Sequence, residues 1–126
     1  MRFIPTKVHG VIDYLIGLVL IAAPWIFGFA DGTVAQWVPI VLGAVVIIYS
    51  LLTRYELGVT DTIPLNVHLW LDAIGGVILA ASPWVLGFSD VVWMPHLIVG
   101  VVEIVLALLT HTTEETRHTQ MATSAR

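Results

Sequence analysis

Residues 4–31, IPTKVHGVIDYLIGLVLIAAPWIFGFAD, recur as residues 63–90, IPLNVHLWLDAIGGVILAASPWVLGFSD. A shift of 59 residues makes 13 of these 28 positions identical. The shared pairs include Pro5/Pro64, Val8/Val67, His9/His68, Asp13/Asp72, Gly17/Gly76, Pro24/Pro83, Trp25/Trp84, Gly28/Gly87, Phe29/Phe88 and Asp31/Asp90. Self-similarity over such a length marks a duplicated structural unit. Beyond it, Trp37-Val38-Pro39 answers Trp93-Met94-Pro95 after a short gap, which places every proline of the chain in a pair.

Each copy opens a long apolar run. Tyr14 to Ala30, Val34 to Thr53 and Ala73 to Ser89 contain no Asp, Glu, Lys, Arg or His, and Val91 to Thr110 is interrupted only by His96 and Glu103. A hydrocarbon layer about 30 Å thick takes roughly 20 helical residues. The runs therefore predict four transmembrane helices, at about 6–27, 35–54, 65–86 and 92–111. Four spans are too few for a closed barrel, so the expected fold is all-α, a four-transmembrane-helix bundle. Each copy is a hairpin with an even number of spans. The two hairpins then share one orientation and are related by a pseudo-two-fold axis along the membrane normal. The expected organisation is a first repeat over 1–58, a second over 59–112 and a polar cytoplasmic tail over 113–126.

Composition agrees. Of 126 residues, 58% are hydrophobic and 11% charged, where soluble domains have about 45–50% and 25%. Too few polar residues remain to cover a globule in water, which excludes a free cytosolic enzyme and a disordered segment. Nucleic acid is excluded as a partner by a net charge of −4 with no basic stripe. The absence of cysteine removes disulfides, thiolate metal sites and cysteine nucleophiles together. The basic residues Arg2, Lys7, Arg54, Arg117 and Arg126 all fall on one side of the predicted topology, and the loops around Asp31 and Asp90 carry none. The positive-inside rule then places both termini and the Arg54–Pro64 loop in the cytoplasm. Trp25, Trp37, Trp84 and Trp93 gather near the opposite interface, where indoles anchor. The first helix carries ionisable residues and is repeated later, so it reads as a span and not as a cleaved signal peptide.

Late in the first helix of each copy stand Ala23-Pro24-Trp25 and Ser82-Pro83-Trp84, followed by Gly28-Phe29 and Gly87-Phe88. Over about residues 4–111 the chain resembles the SPW-repeat family of small prokaryotic membrane proteins, named for a Ser-Pro-Trp motif in the first of two helices. The second copy carries the full motif, and the first departs from it at Ala23. The resemblance implies fold and a prokaryotic inner-membrane location, and supplies no catalytic residues. Physically, Pro24 and Pro83 free the carbonyls of Leu20 and Leu79 and kink or end their helices. The Ser82 hydroxyl can bond back within its own helix. Trp25 and Trp84 anchor the bend, and Gly28 and Gly87 permit a tight exit. Pro39 and Pro95 are expected in first turns, where proline is tolerated.

Pro5, His9, Asp13, Gly17, Leu20 and Pro24 are spaced 4, 4, 4, 3 and 4, and so share one face of a helix. Pro64, His68, Asp72, Gly76, Leu79 and Pro83 repeat that face, which is expected to point into the bundle. Gly17 and Gly76 would let helices approach closely. His9–Asp13 and His68–Asp72 are i,i+4 pairs, and Glu103 lies at similar depth with no counterpart in the first repeat. These five residues form the candidate intramembrane polar cluster. His96 is expected as a solvated interfacial histidine.

Three functions fit such a cluster. Histidine–aspartate hydrogen bonds can hold helices together; carboxylates and histidines can relay protons; two histidines with carboxylates can bind a divalent ion, or His9 and His68 a haem. No Gly-rich phosphate loop and no Ser/His/Asp spacing argues for catalysis. The sequence thus predicts a non-enzymatic structural or interaction protein of the inner membrane. Its partners would be the lipid bilayer and either further copies or a complex it serves as accessory subunit, and it would carry no catalytic, metal or cofactor residues. The alternative is a small proton- or metal-linked transporter, or a metal- or haem-binding membrane protein, using the cluster.

Overall fold

A computed structural model of the chain describes residues 3–110 and shows four helices: α1 (Thr6–Ile26), α2 (Val34–Leu51), α3 (Leu65–Val85) and α4 (Met94–Leu109). No strand occurs among the described residues. The polar tail and Arg2, Arg117 and Arg126 lie outside the described residues. α1 packs on α2 and α3 on α4 to make two hairpins, which meet more sparsely along α2–α3 and α1–α4.

Local sequence sets the helix ends. Pro5 and Pro64 cap α1 and α3 in extended conformation, with φ −62° and ψ near 147°. At the far ends, Pro24 and Pro83 sit in the last turn, and the chain leaves through Gly28 (φ 77°) and Gly87 (φ 76°). That left-handed conformation suits glycine, and it lets Phe29 and Phe88 return their N–H groups to the carbonyls of Pro24 and Pro83 at 2.8 Å.

The second helix of each hairpin is shorter than the apolar runs suggest. α2 stops at Leu51, and α4 has 16 residues, from Met94 to Leu109. At 1.5 Å per residue α4 spans about 24 Å, so three helices are long and apolar enough to cross a membrane and α4 is shorter. It starts late because Val91 and Val92 turn back to the Phe88 carbonyl, and Pro95 fixes the first turn. At the other ends, Thr53 and Thr110 leave the helix to pair with Ile63 and Ile4. Thr62 and Ile63 donate to the Leu52 carbonyl, as Phe3 and Ile4 donate to Leu109. The segment entering each first helix thereby supplies donors to carbonyls that a helix end leaves open, which matters most in lipid.

Packing is inverted relative to a soluble bundle. The buried side chains include His9, Asp13, His68, Asp72, His96 and Glu103, while Leu18, Val45, Ile78 and Leu108 face outward. The hairpins close on paired glycines. A Cβ on Gly43 would lie 2.6 Å from the Gly17 carbonyl oxygen, and one on Gly100 would lie 2.5 Å from that of Gly76. The polar face of α1 and α3 is thus carried to the join between hairpins.

Candidate functional site

His9 and Asp13 on α1 meet His68 and Asp72 on α3 in a tetrad with at most 1% of any residue exposed. His9 Nε2 lies 2.6 Å from Asp72 Oδ2 and 3.0 Å from Asp13 Oδ2. His68 Nε2 lies 2.7 Å from Asp13 Oδ2 and 3.3 Å from Asp72 Oδ2. The contacts across helices are the shorter ones in both cases. The tetrad therefore joins the hairpins and does more than decorate single helices.

The remaining imidazole nitrogens are held by two threonines. Thr53 Oγ1 donates to the Tyr49 carbonyl and lies 2.7 Å from His68 Nδ1; Thr110 Oγ1 donates to the Leu106 carbonyl and lies 2.6 Å from His9 Nδ1. A hydroxyl has one proton to give. With that proton committed, each Nδ1 must be the N–H that donates to its threonine, and each Nε2 is turned to the carboxylates. Every Nε2···Oδ2 contact then needs a proton on one side or the other.

The outer carboxylate oxygens differ. Tyr49 donates its hydroxyl to Asp72 Oδ1. Asp13 Oδ1 accepts no hydrogen bond among the described residues, nor does either oxygen of Glu103. Glu103 lines the same cavity as Asp72 and Tyr49.

The loop after α2 closes the site. Tyr55 lies over His68 with ring centroids 5.5 Å apart, and Tyr14 donates its hydroxyl to the Leu57 carbonyl at 2.8 Å. Thr6 donates to the Glu56 carboxylate. Gly10 makes room for this cover: a Cβ there would stand 2.6 Å from the Tyr55 ring. Burial pushes the Tyr55 phenol above its ordinary value, so it remains a neutral lid.

The profile of the SPW repeat domain matches residues 7–110. This chain belongs to the SPW repeat family. No curated protein and no solved structure matches it. Together with its three long apolar helices, membership makes it a membrane protein.

In this SPW repeat protein the signature lies at the end of the bundle away from the tetrad. Ser82 donates to the Leu79 carbonyl at 2.7 Å, which is the group that Pro83 deprives of its helical donor. Ala23 offers no such hydroxyl in the first copy. Trp25 and Trp84 are 62% and 53% exposed, in keeping with side chains turned to the surrounding phase.

Two expectations need correction. Pro39 is not in a first turn; it sits well inside α2 and leaves the Ala35 carbonyl without its helical donor. His96 is not solvated but 1% exposed, and its Nε2 lies 3.3 Å from that carbonyl. Phe29 and Phe88 flank its ring with centroids at 5.3 and 5.1 Å. Counted back from Gly43 and Gly100, the residue at the depth of Pro39 is His96, not Pro95. The second helices therefore align at a spacing of 57, one residue out of step with the Trp-x-Pro pairing. The same spacing relates Thr53 to Thr110 and Gly43 to Gly100, a signal that sequence reading passed over along with Tyr49.

Beside the tetrad a cavity of about 170 Å³ opens between α2 and α3, lined by Leu20, Tyr49, Asp72, Gly76, Leu79 and Glu103 among others. His9 and His68 have centroids 5.5 Å apart with carboxylates between their Nε2 atoms, which leaves no slot for a porphyrin.

Proposed function

We propose that this protein is a non-enzymatic structural or interaction protein of the prokaryotic inner membrane, in which the His–Asp tetrad clasps two hairpins into one bundle. The observation that carries the reading is the pair of short cross-helix contacts, 2.6 and 2.7 Å, between fully buried side chains. Both termini lie in the cytoplasm in this reading, on the side of Lys7 and Arg54. The outward apolar faces then meet lipid and other membrane-spanning chains. Removing one member of a buried ion pair costs about 3–5 kcal/mol because the other is left uncompensated. Asp13→Asn with Asp72→Asn should therefore lower the unfolding temperature in detergent while leaving proton uptake by proteoliposomes unchanged. Unchanged stability in that variant would remove the clasp.

A second reading has its own observation. Asp72, Tyr49 and Glu103 line a cavity next to the tetrad, and ionisable side chains facing a cavity within a membrane span are the material of proton relays. A proton-linked transporter would show uptake that the same double variant abolishes.

A further inference from the structure

We propose that the two imidazoles and two carboxylates of the tetrad form a binding site for one divalent transition-metal ion of the zinc type, held between the hairpins. This inference rests on the reading of the tetrad as their join and adds the ion that completes it.

The donor set is the first argument. One ligand atom from each of His9, Asp13, His68 and Asp72 lies within 4.8 Å of all the others. Zinc sits about 2.0–2.1 Å from imidazole nitrogen and carboxylate oxygen, which puts neighbouring ligand atoms of a tetrahedron about 3.3–3.4 Å apart. The four Nε2···Oδ2 separations run from 2.6 to 3.3 Å. Side-chain adjustments of less than about 1 Å, within rotamer freedom, would open the tetrad around an ion.

Second-shell chemistry is the next argument. Metal-binding histidines characteristically donate their other ring N–H to a fixed acceptor, which sets tautomer and direction. Thr53 and Thr110 are such acceptors, at 2.7 and 2.6 Å, and each is itself fixed by its bond to a helix carbonyl. A hydrogen-bonded clasp alone needs no such pre-orientation of both rings toward one point.

Charge and unmet polar groups point the same way. Two neutral imidazoles and two carboxylates balance a divalent cation, so metal replaces two shared protons with no change in net charge. Among the described residues Asp13 Oδ1 has no donor although it is buried, and a cation bound at this carboxylate would compensate it. Tyr49, from α2, donates to Asp72 Oδ1. Imidazole ligands favour zinc, cobalt or nickel over magnesium and calcium, which prefer all-oxygen sites. Four protein ligands fill a tetrahedral coordination sphere and describe a structural centre and not a catalytic one. Because the ligands are divided between hairpins, the site is complete only once they dock, and metal binding is coupled to assembly.

The test uses the full chain purified in detergent. Elemental analysis after growth with zinc should find about one metal per chain. Chelator-stripped protein should take up cobalt with the intense visible bands of a four-coordinate site. Zinc should displace the cobalt and release about two protons, and excess magnesium should not compete. Thr53→Val, which touches no ligand atom directed at the ion, should weaken affinity about 10–100-fold, whereas His118→Gln should leave it unchanged. Wild-type protein that binds neither cobalt nor zinc overturns the proposal, as does uptake that survives His9→Gln with His68→Gln. Absence of metal combined with a destabilised Asp13→Asn/Asp72→Asn variant would overturn the metal site and leave the clasp standing.

Discussion

Adjacent glycines in α3 should respond oppositely to the same substitution. A Cβ on Gly76 would lie 2.6 Å from the Gly100 carbonyl oxygen, 2.9 Å from Ile104 Cγ1 and 3.2 Å from Glu103 Cβ. The first contact is with helix backbone, so relief requires α4 to move away by several tenths of an ångström. Overpacking of this kind costs about 1–3 kcal/mol, while replacing a helical glycine by alanine returns about 0.5–1 kcal/mol. Gly76→Ala should thus destabilise by about 1–2 kcal/mol. A Cβ on Gly75 meets nothing within 4 Å, so Gly75→Ala should stabilise by up to about 1 kcal/mol. Thermal unfolding in detergent, followed by far-ultraviolet circular dichroism, measures both. Equal shifts of the same sign would refute the close approach of α3 and α4.

The His96–Pro39 relation predicts non-additivity: His96→Phe should cost about 1–3 kcal/mol by orphaning the Ala35 carbonyl. The cost should shrink when Pro39→Ala restores a backbone donor, as a double-mutant unfolding cycle will read. Thr53→Val should leave the His68 N–H unpaired at a similar cost, Thr53→Ser should not, and nitrogen NMR of the imidazole should report the altered tautomer. At the opposite end, Asp31 Oδ1 accepts from the Thr33 hydroxyl at 2.6 Å and the Thr33 N–H at 3.0 Å, which lowers its pKa below the ordinary carboxylate value. A depressed folded value gives stability that is present at neutral pH and lost as pH falls through that value. The Trp37 emission should therefore change on acidification in the wild type and not in Asp31→Asn.

The duplication was enough to read the bundle, because apolar runs report their lipid environment directly. It also put the histidines and aspartates on one face, since a helix converts spacing into direction without reference to neighbours. Their partners were harder to see. Thr53 and Thr110 act where the chain has already left the helix, and they bond to residues of the adjoining helix start. Periodicity carries no information about such contacts. His96 was misread because proximity to a predicted helix end was taken as exposure. Its burial comes from Pro39, on another helix, which creates the acceptor that a buried imidazole can satisfy. The shorter α4 follows from backbone turns at Val91 and Val92 whose residues are as apolar as any in a span.

The tetrad is encoded half in each copy of the repeat. One hairpin alone would possess a single histidine and a single aspartate, and two identical chains would be needed to close the figure. Such a pair would be bound to present the same neighbours on both sides of its axis. Fusion into one polypeptide lifts that obligation. Tyr49 can bond to one aspartate and not the other, and Glu103 can stand in one hairpin alone, so a centre of equal halves acquires a front and a back.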